Sequence, residues 1–217
     1  MSVAKLRIVI AGGGRVGTQT AELLDDRGHE AVVIEPDGDA AASIGDQYIA
    51  TVIEGDATRP SILTQVGLDR TDVVAALTGS TGTNLAICMA AERLEPDVTT
   101  VMRTEEETGE EYADFVDEVI YAERAAARAA ANAVEQDVRA LEDVTGDLDI
   151  MEIRVAEGAP VAGRPLSEVA LPRGSLVVSD ADGHRIAGSE TVLEPGRQYV
   201  VAVEQSVSDE VMNLMQG

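Results

Sequence analysis

The chain has one cysteine, one lysine and no apolar run long enough to cross a membrane. With Cys88 alone, an internal disulfide and a thiolate metal cluster are both excluded. The residue falls on the apolar face of an expected helix, which suits a buried structural thiol. No apolar stretch approaches the roughly 18 residues of a transmembrane helix, so direct membrane insertion is not expected. A signal-peptide pattern is missing as well, because Lys5-Leu6-Arg7 runs straight into a strand. These absences set the expectation of a cytoplasmic chain.

Positive charge is scarce. Against 40 acidic residues stand 16 basic ones, for a formal charge of -24, and Lys5 is the only lysine. A field of that sign repels phosphodiester backbones and anionic lipid, so nucleic acid is not an expected partner. The carboxylates are spread along the chain rather than gathered in a tail. That distribution suits a halophilic protein, since at molar salt the Debye length falls to about 3 Å and like charges hardly repel.

What the chain does have is a regular alternation. Residues 6–11 read as a buried parallel strand ending in glycines, and Val16, Thr20, Leu23 and Leu24 follow at helical spacing until Gly28. Further strands are expected at 31–35, 48–54, 72–78, 98–103 and 119–121, with helices at 39–44, 61–66, 83–94 and 105–115. Strands and helices in such succession predict an α/β fold, a Rossmann-type doubly wound parallel sheet covered on both faces. From Glu123 to Val144 the spacing of Ala127, Ala130, Ala131, Val134, Val138, Leu141 and Val144 predicts one long crossover helix, broken at Gly146-Asp147. Its small residues suit either a dimer interface or close packing on its own sheet. Beyond it, β-type runs at 150–155, 175–178, 190–193 and 198–203 predict a small α+β C-terminal domain. A short helix at 165–169, a hairpin turn at Asp182-Gly183 and a final helix at 207–215 complete it. The expected division is 1–122, 123–148 and 149–217.

The chemistry gathers at the strand ends. Gly12-x-Gly14-x-x-Gly17 follows a strand, opens a helix, and precedes an acid, Glu35, by about 18 residues, which is dinucleotide-type spacing. Gly12 permits the tight turn, Gly14 lets the backbone meet a pyrophosphate, and Gly17 allows helix-on-strand packing. Gly13 and Val16 complete the loop, and free N–H groups at the helix start bind phosphate oxygens. Glu35 is placed for ribose hydroxyls, and its charge disfavours a 2′-phosphate, so NAD(H) or an adenine mononucleotide is expected over NADP. Arg15, inside the loop, either reaches a terminal phosphate, as in ATP or ADP, or is simply solvated. Asp56 and Ala57 end the third strand, at the adenine edge or as an ordinary Asp turn. Thr78 and Gly79 end the fourth strand and face the phosphates or second ribose, with Asn84 read as a helix cap. Arg103 ends the fifth strand, for phosphate or for a salt bridge. Glu123 is a candidate cation ligand near phosphates shared across a dimer, or a solvated acid. Asp180, Asp182 and Glu190 offer a divalent site that so acidic a chain does not require.

A soluble NAD-dependent oxidoreductase or a stand-alone redox sensor is the rival reading, because fold alone does not choose. Catalysis of that kind needs a proton-transfer group beside the cofactor. Lys5 precedes the first strand, His29 and His184 fall in surface loops, and no tyrosine has a lysine four residues on. The sequence therefore favours a binding module over a catalyst.

These residues together resemble the RCK family, regulators of potassium conductance and transport with TrkA-type and KtrA-type subunits. Ile8-Val9-Ile10-Ala11 with the glycines, Arg15, Val16 and Gly17 is similar to that family's first strand and loop. Gly55-Asp56-Ala57-Thr58, Thr78-Gly79 with Asn84-Leu85, Arg103, and Asp117 through Arg124 resemble its later signatures. Residues 152–169 and 188–201 resemble its C-terminal regulatory domain. The resemblance implies NAD(H) or ATP/ADP as ligand, with a cation at the nucleotide. It also implies a homodimer, assembling into an octameric ring, at the inner face of the cell membrane beneath a membrane-embedded potassium transporter subunit.

Overall fold

The computed structural model describes residues 4–107, 109–134, 137–144, 148–179 and 182–217. It divides into two compact units, Met1–Ala125 and Ala126–Gly217. In the first, six strands form one sheet: β1 (Arg7–Ala11), β2 (Glu30–Glu35), β3 (Thr51–Glu54), β4 (Val73–Ala76), β5 (Thr99–Arg103) and β6 (Glu118–Ile120). Their order is β3-β2-β1-β4-β5-β6 and every pairing is parallel. Between them run α1 (Arg15–Asp26), α2 (Gly38–Gly45), α3 (Pro60–Gln65), α4 (Thr81–Leu94) and α5 (Gly109–Tyr112).

Successive strand residues feed opposite faces, which explains the β-branched runs. Val9, Ala11, Val32, Ile34, Val74, Ala76 and Met102 pack with Leu63 of α3 and Ile87, Cys88 and Ala91 of α4. Ile8, Ile10, Ala31, Val33 and Ala75 pack on the other face with Ala21 of α1 and Ile44 of α2. Burying each such Val or Ile side chain stabilises the fold by about 1.5–3 kcal/mol. This is the doubly wound sheet that the sequence predicts. Because the strand order reverses between β1 and β4, a crevice opens at their carboxyl ends.

Several elements of this unit are shorter than expected, among them β4, which covers Val73–Ala76 rather than 72–78. β3 begins at Thr51 rather than 48, because Tyr48 adopts φ 58°, the one positive φ among described non-glycine residues, and turns the chain. The helix expected over 105–115 is confined to Gly109–Tyr112. Glu105 is held elsewhere: its N–H donates to Thr81 Oγ1 at 2.9 Å, and its carboxylate accepts the Thr81 N–H at 3.2 Å.

The long helix expected from Glu123 to Val144 is the main correction. α6 covers Ala122–Val134, and Val138–Val144 is a strand, β7. β7 pairs antiparallel with β8 (Leu148–Arg154), and the Arg139–Glu152 ion pair at 3.3 Å holds the register. A register shift between Ala140 and Glu142 leaves Leu141 as an extra residue. That bulge breaks the period-two alternation, so Val138, Leu141 and Val144 mimic a helical stripe. No residue of α6 is buried. The expected break at Gly146-Asp147 lies outside the described residues.

The second unit is an antiparallel sheet in the order β7-β8-β10-β9, with β9 at Ser175–Val177 and β10 at Gln198–Glu204, followed by α7 (Ser208–Gln216). Ile153, Val177, Tyr199, Val201 and Val203 pack with Val211 and Met215 of α7. The run at 190–193, expected as a strand, makes a single bridge, Val192 to Pro165. β10 already has neighbours on both sides, and proline has no N–H with which to extend a ladder. The expected short helix at 165–169 is a single 3-10 turn, Leu166–Glu168.

Candidate nucleotide site

The loop after β1 is shaped by contacts that leave little room for side chains. Gly12 adopts φ +104°, and a Cβ there would lie 3.0 Å from the Thr78 amide nitrogen. A Cβ on Gly17 would sit 1.9 Å from the Gly12 carbonyl oxygen, so α1 approaches the loop as closely as backbone allows. Gly13 is confined by Ile44 of α2, whose Cδ1 is 2.4 Å from the position of a Cβ. Gly14 alone faces open space, with no atom within 4 Å of a built Cβ.

Gly14 is also the N-cap of α1 and makes no side-chain capping bond, while the first turn contains no acid. The N–H groups and dipole of that turn are therefore offered to an anion. Arg15 opens α1 as an exposed side chain, and Val16 is half-buried against the α1 face of the sheet. Glu35, at the end of β2, is bound to the loop itself. Its Oε2 accepts the Gly13 N–H at 2.7 Å and its Oε1 accepts the Asp37 N–H at 3.0 Å. The carboxylate is thus fixed beside the phosphate loop, with a lone pair left on each oxygen. Glu54, its register partner at the end of β3, adds a second negative charge at this edge.

Asp56 forms a turn: its Oδ1 accepts the Thr58 N–H at 2.9 Å and the Thr58 hydroxyl at 2.6 Å, and Arg59 lies 3.5 Å away. The hydroxyl bond, then the backbone bond, hold its carboxyl below the usual range. Ala57 beside it is buried in the α3–α4 core. At the end of β4, Thr78 is half-buried and Gly79 exposed.

Asn84 is not the cap expected of it. Ser80 caps α4, accepting the Thr83 N–H, and Asn84 is fully buried one turn in. Its Oδ1 accepts the Thr78 N–H at 3.0 Å and hydroxyl at 2.6 Å, while its Nδ2 donates to the Thr78 carbonyl at 3.1 Å and the Arg103 carbonyl at 2.8 Å. One amide thereby clamps the ends of β4 and β5 side by side.

Arg103 has a largely buried side chain that ion-pairs with Glu123 in the first turn of α6. Its buried Nε has no partner, a vacancy that costs about 1–3 kcal/mol. The carboxyl of Glu123 lies below the usual range, first through its own backbone N–H and then through Arg103. No group of three or more His, Cys, Asp or Glu side chains that could hold a metal, at Glu123 or elsewhere, is found among the described residues. Arg103 and Glu123 were read separately from the sequence, because a separation of twenty positions leaves no local signal of the pairing. Cys88 is buried away from these strand ends, and desolvation pushes its thiol up to about 12. Asp182 pairs with Arg197, and Asp180 lies outside the described residues.

Loop, crevice and strand order define a Rossmann-type protein of the dinucleotide-binding architecture, extended by a small antiparallel unit. Residues 8–122 match the TrkA-N domain model and residues 150–216 the TrkA-C domain model, and the chain belongs to this TrkA family. It is 30% identical to a Trk system potassium uptake protein TrkA homologue of Pyrococcus abyssi, over 96% of this chain and 97% of that one. It is 28% identical to the Trk system potassium uptake protein TrkA of Mycobacterium tuberculosis, over 97% and 98% of the two chains. Among solved structures, the GsuK channel superposes with TM-score 0.72 at 21% identity, covering all of this chain and 40% of that one. The same channel bound to NAD superposes with TM-score 0.68. The chain spans less than half the length of those channel chains, and the likeness is one of fold. No helix among the described residues is long and apolar enough to cross a membrane.

Proposed function

We propose that this chain is a nucleotide-sensing regulatory subunit of a potassium transport system, acting on a membrane-embedded transporter from the cytoplasmic face. The observation that carries this reading is the uncapped start of α1 beneath Gly12–Gly14, with Glu35 bonded to the same loop. Relatives named for potassium uptake across nearly their whole length supply the physiological direction. The ligand lies across the carboxyl edge, its phosphates over Gly14 and its ribose at Glu35. NAD(H) is supported by the NAD-bound channel of the same fold, and ATP or ADP by Arg15 in the loop.

A regulatory rather than catalytic role accords with where the proton-carrying groups lie. His29 Nδ1 accepts the Leu6 N–H at 3.2 Å, at the amino edge of the sheet and opposite the crevice. The exposed alanine face of α6 supports a homodimer, and rings of such dimers follow the family pattern. A ligand that fits one dimer arrangement better shifts the population by the ratio of its two affinities. Calorimetric titration with NAD, NADH, ATP and ADP in molar KCl tests the reading. Micromolar binding of at least one nucleotide supports it, and binding of none refutes it.

A further inference from the structure

We propose that the Arg103–Glu123 ion pair is an internal latch on the nucleotide site, broken when a ligand phosphate takes Arg103 from Glu123. The inference rests on the nucleotide reading above and adds to it the route by which occupancy reaches α6.

Four observations carry it. First, the two partners are unequally held. The Arg103 side chain is 17% exposed and that of Glu123 is 49% exposed. The arginine backbone is clamped by Asn84, whose Nδ2 donates to its carbonyl at 2.8 Å, and by the neighbouring Thr104 N–H, which donates to the Ile120 carbonyl at 2.9 Å. Glu123 is therefore the partner free to leave. Second, the pair is incomplete. Glu123 engages Nη2 through one oxygen, and the buried Nε is left without a partner. A phosphate group, with several oxygens, can take Nε and a terminal nitrogen together, the fork geometry that guanidinium favours. Third, the arginine stands in the right place, at the carboxyl end of β5 and tied by one amide to Thr78 at the end of β4. Fourth, Arg124, the residue beside Glu123, is itself paired with Glu107 and is not the cation to take its place.

Glu123 lies in the first turn of α6, the segment through which the chain passes from the first unit to the second. Freed of Arg103, that turn loses the ion pair anchoring it to β5. Nucleotide occupancy is thereby converted into a change at the start of α6 with no rearrangement of the sheet.

The test uses the full chain in buffer with EDTA, so that no cation acts through Glu123, and ADP, ATP and NADH as probes. Glu123→Gln removes the competing charge and tightens phosphate-ligand binding by roughly two- to fivefold, the range of a half-exposed pair. Arg103→Gln weakens binding, and adding Glu123→Gln to it changes nothing further. Hydrogen exchange in the first turn of α6 accelerates on ligand binding in the unmodified chain; in Glu123→Gln it is fast from the start. If the unmodified chain binds nucleotide and Glu123→Gln binds it no tighter, the latch is wrong and the site reading stands. Binding by neither chain overturns both, whereas binding by Glu123→Gln alone supports a latch that holds the empty site shut.

Discussion

Gly14 separates stability from binding at the level of one residue. A serine there has open space for its side chain and supplies the missing N-cap of α1. Gly14→Ser should therefore raise stability slightly, by about 0.3 kcal/mol in a urea melt. The same hydroxyl competes for the N–H groups that a phosphate needs, so nucleotide affinity should fall at least about tenfold. Unchanged affinity would place the ligand elsewhere. Gly17→Ala is the contrasting case: its Cβ meets the rigid Gly12 carbonyl at 1.9 Å, and stability itself should drop by about 2 kcal/mol or more. The tight turn at Gly12 and the close helix packing at Gly17 were legible in the sequence because backbone geometry is local and the spacing encodes it. The packing of Gly13 on Ile44 was not, since α2 arrives from a separate stretch of chain. Nor was the Asn84 clamp, which joins residues of α4, β4 and β5. Replacing Asn84 with alanine strands the Thr78 and Arg103 backbone groups it satisfies, for a loss of about 2–3 kcal/mol in the same melt.

Between elements, the amino end of β6 is fixed to β5 by Asp117. Its Oδ2 accepts the Thr100 N–H at 2.7 Å and the Thr100 hydroxyl at 2.9 Å, and these bonds hold its carboxyl below the ordinary value. A carboxyl with a depressed folded-state value stabilises the fold fully above its unfolded value, and that stabilisation fades as pH falls through the folded one. Asp117→Asn should therefore lose less stability than the unmodified chain between about pH 5 and pH 3. Parallel acid limbs in the two proteins would show that Asp117 contributes nothing there. The sheet holding this bond was readable from its doubly buried apolar runs. β7 was not, because the bulge at Leu141 removed the alternation and only pairing with β8 makes it a strand. α6 was legible as a helix but not in its end. Its exposed alanine face yields its own test: Ala131→Glu should leave chain stability within about 0.5 kcal/mol. Sedimentation should at the same time show the proposed dimer dissociating, and a dimer that survives the charge is built on another surface.

On the scale of the whole molecule the formal charge of -24 dominates. Ion pairs such as Arg7–Glu30, Arg139–Glu152 and Arg154–Asp137 engage only a fraction of the carboxylates, since acids outnumber bases by more than two to one. The excess repels itself in the compact state more than in the extended one. Raising salt from about 0.1 M to 1 M shortens the Debye length from about 10 Å to 3 Å, which removes most repulsion between separated surface charges. Screening also weakens the exposed ion pairs, but each contributes at most about 1 kcal/mol, and the unpaired acids are more numerous. Repulsion should win. The thermal midpoint should rise by about 5 °C or more between those salt concentrations, in NaCl as in KCl, because screening does not distinguish the cations. A rise confined to KCl would instead reveal a specific potassium site, and a fall would mean that ion pairs outweigh the surplus of negative charge. Nucleotide binding should respond in the same direction, since ATP brings further negative charge to an edge already holding Glu35 and Glu54.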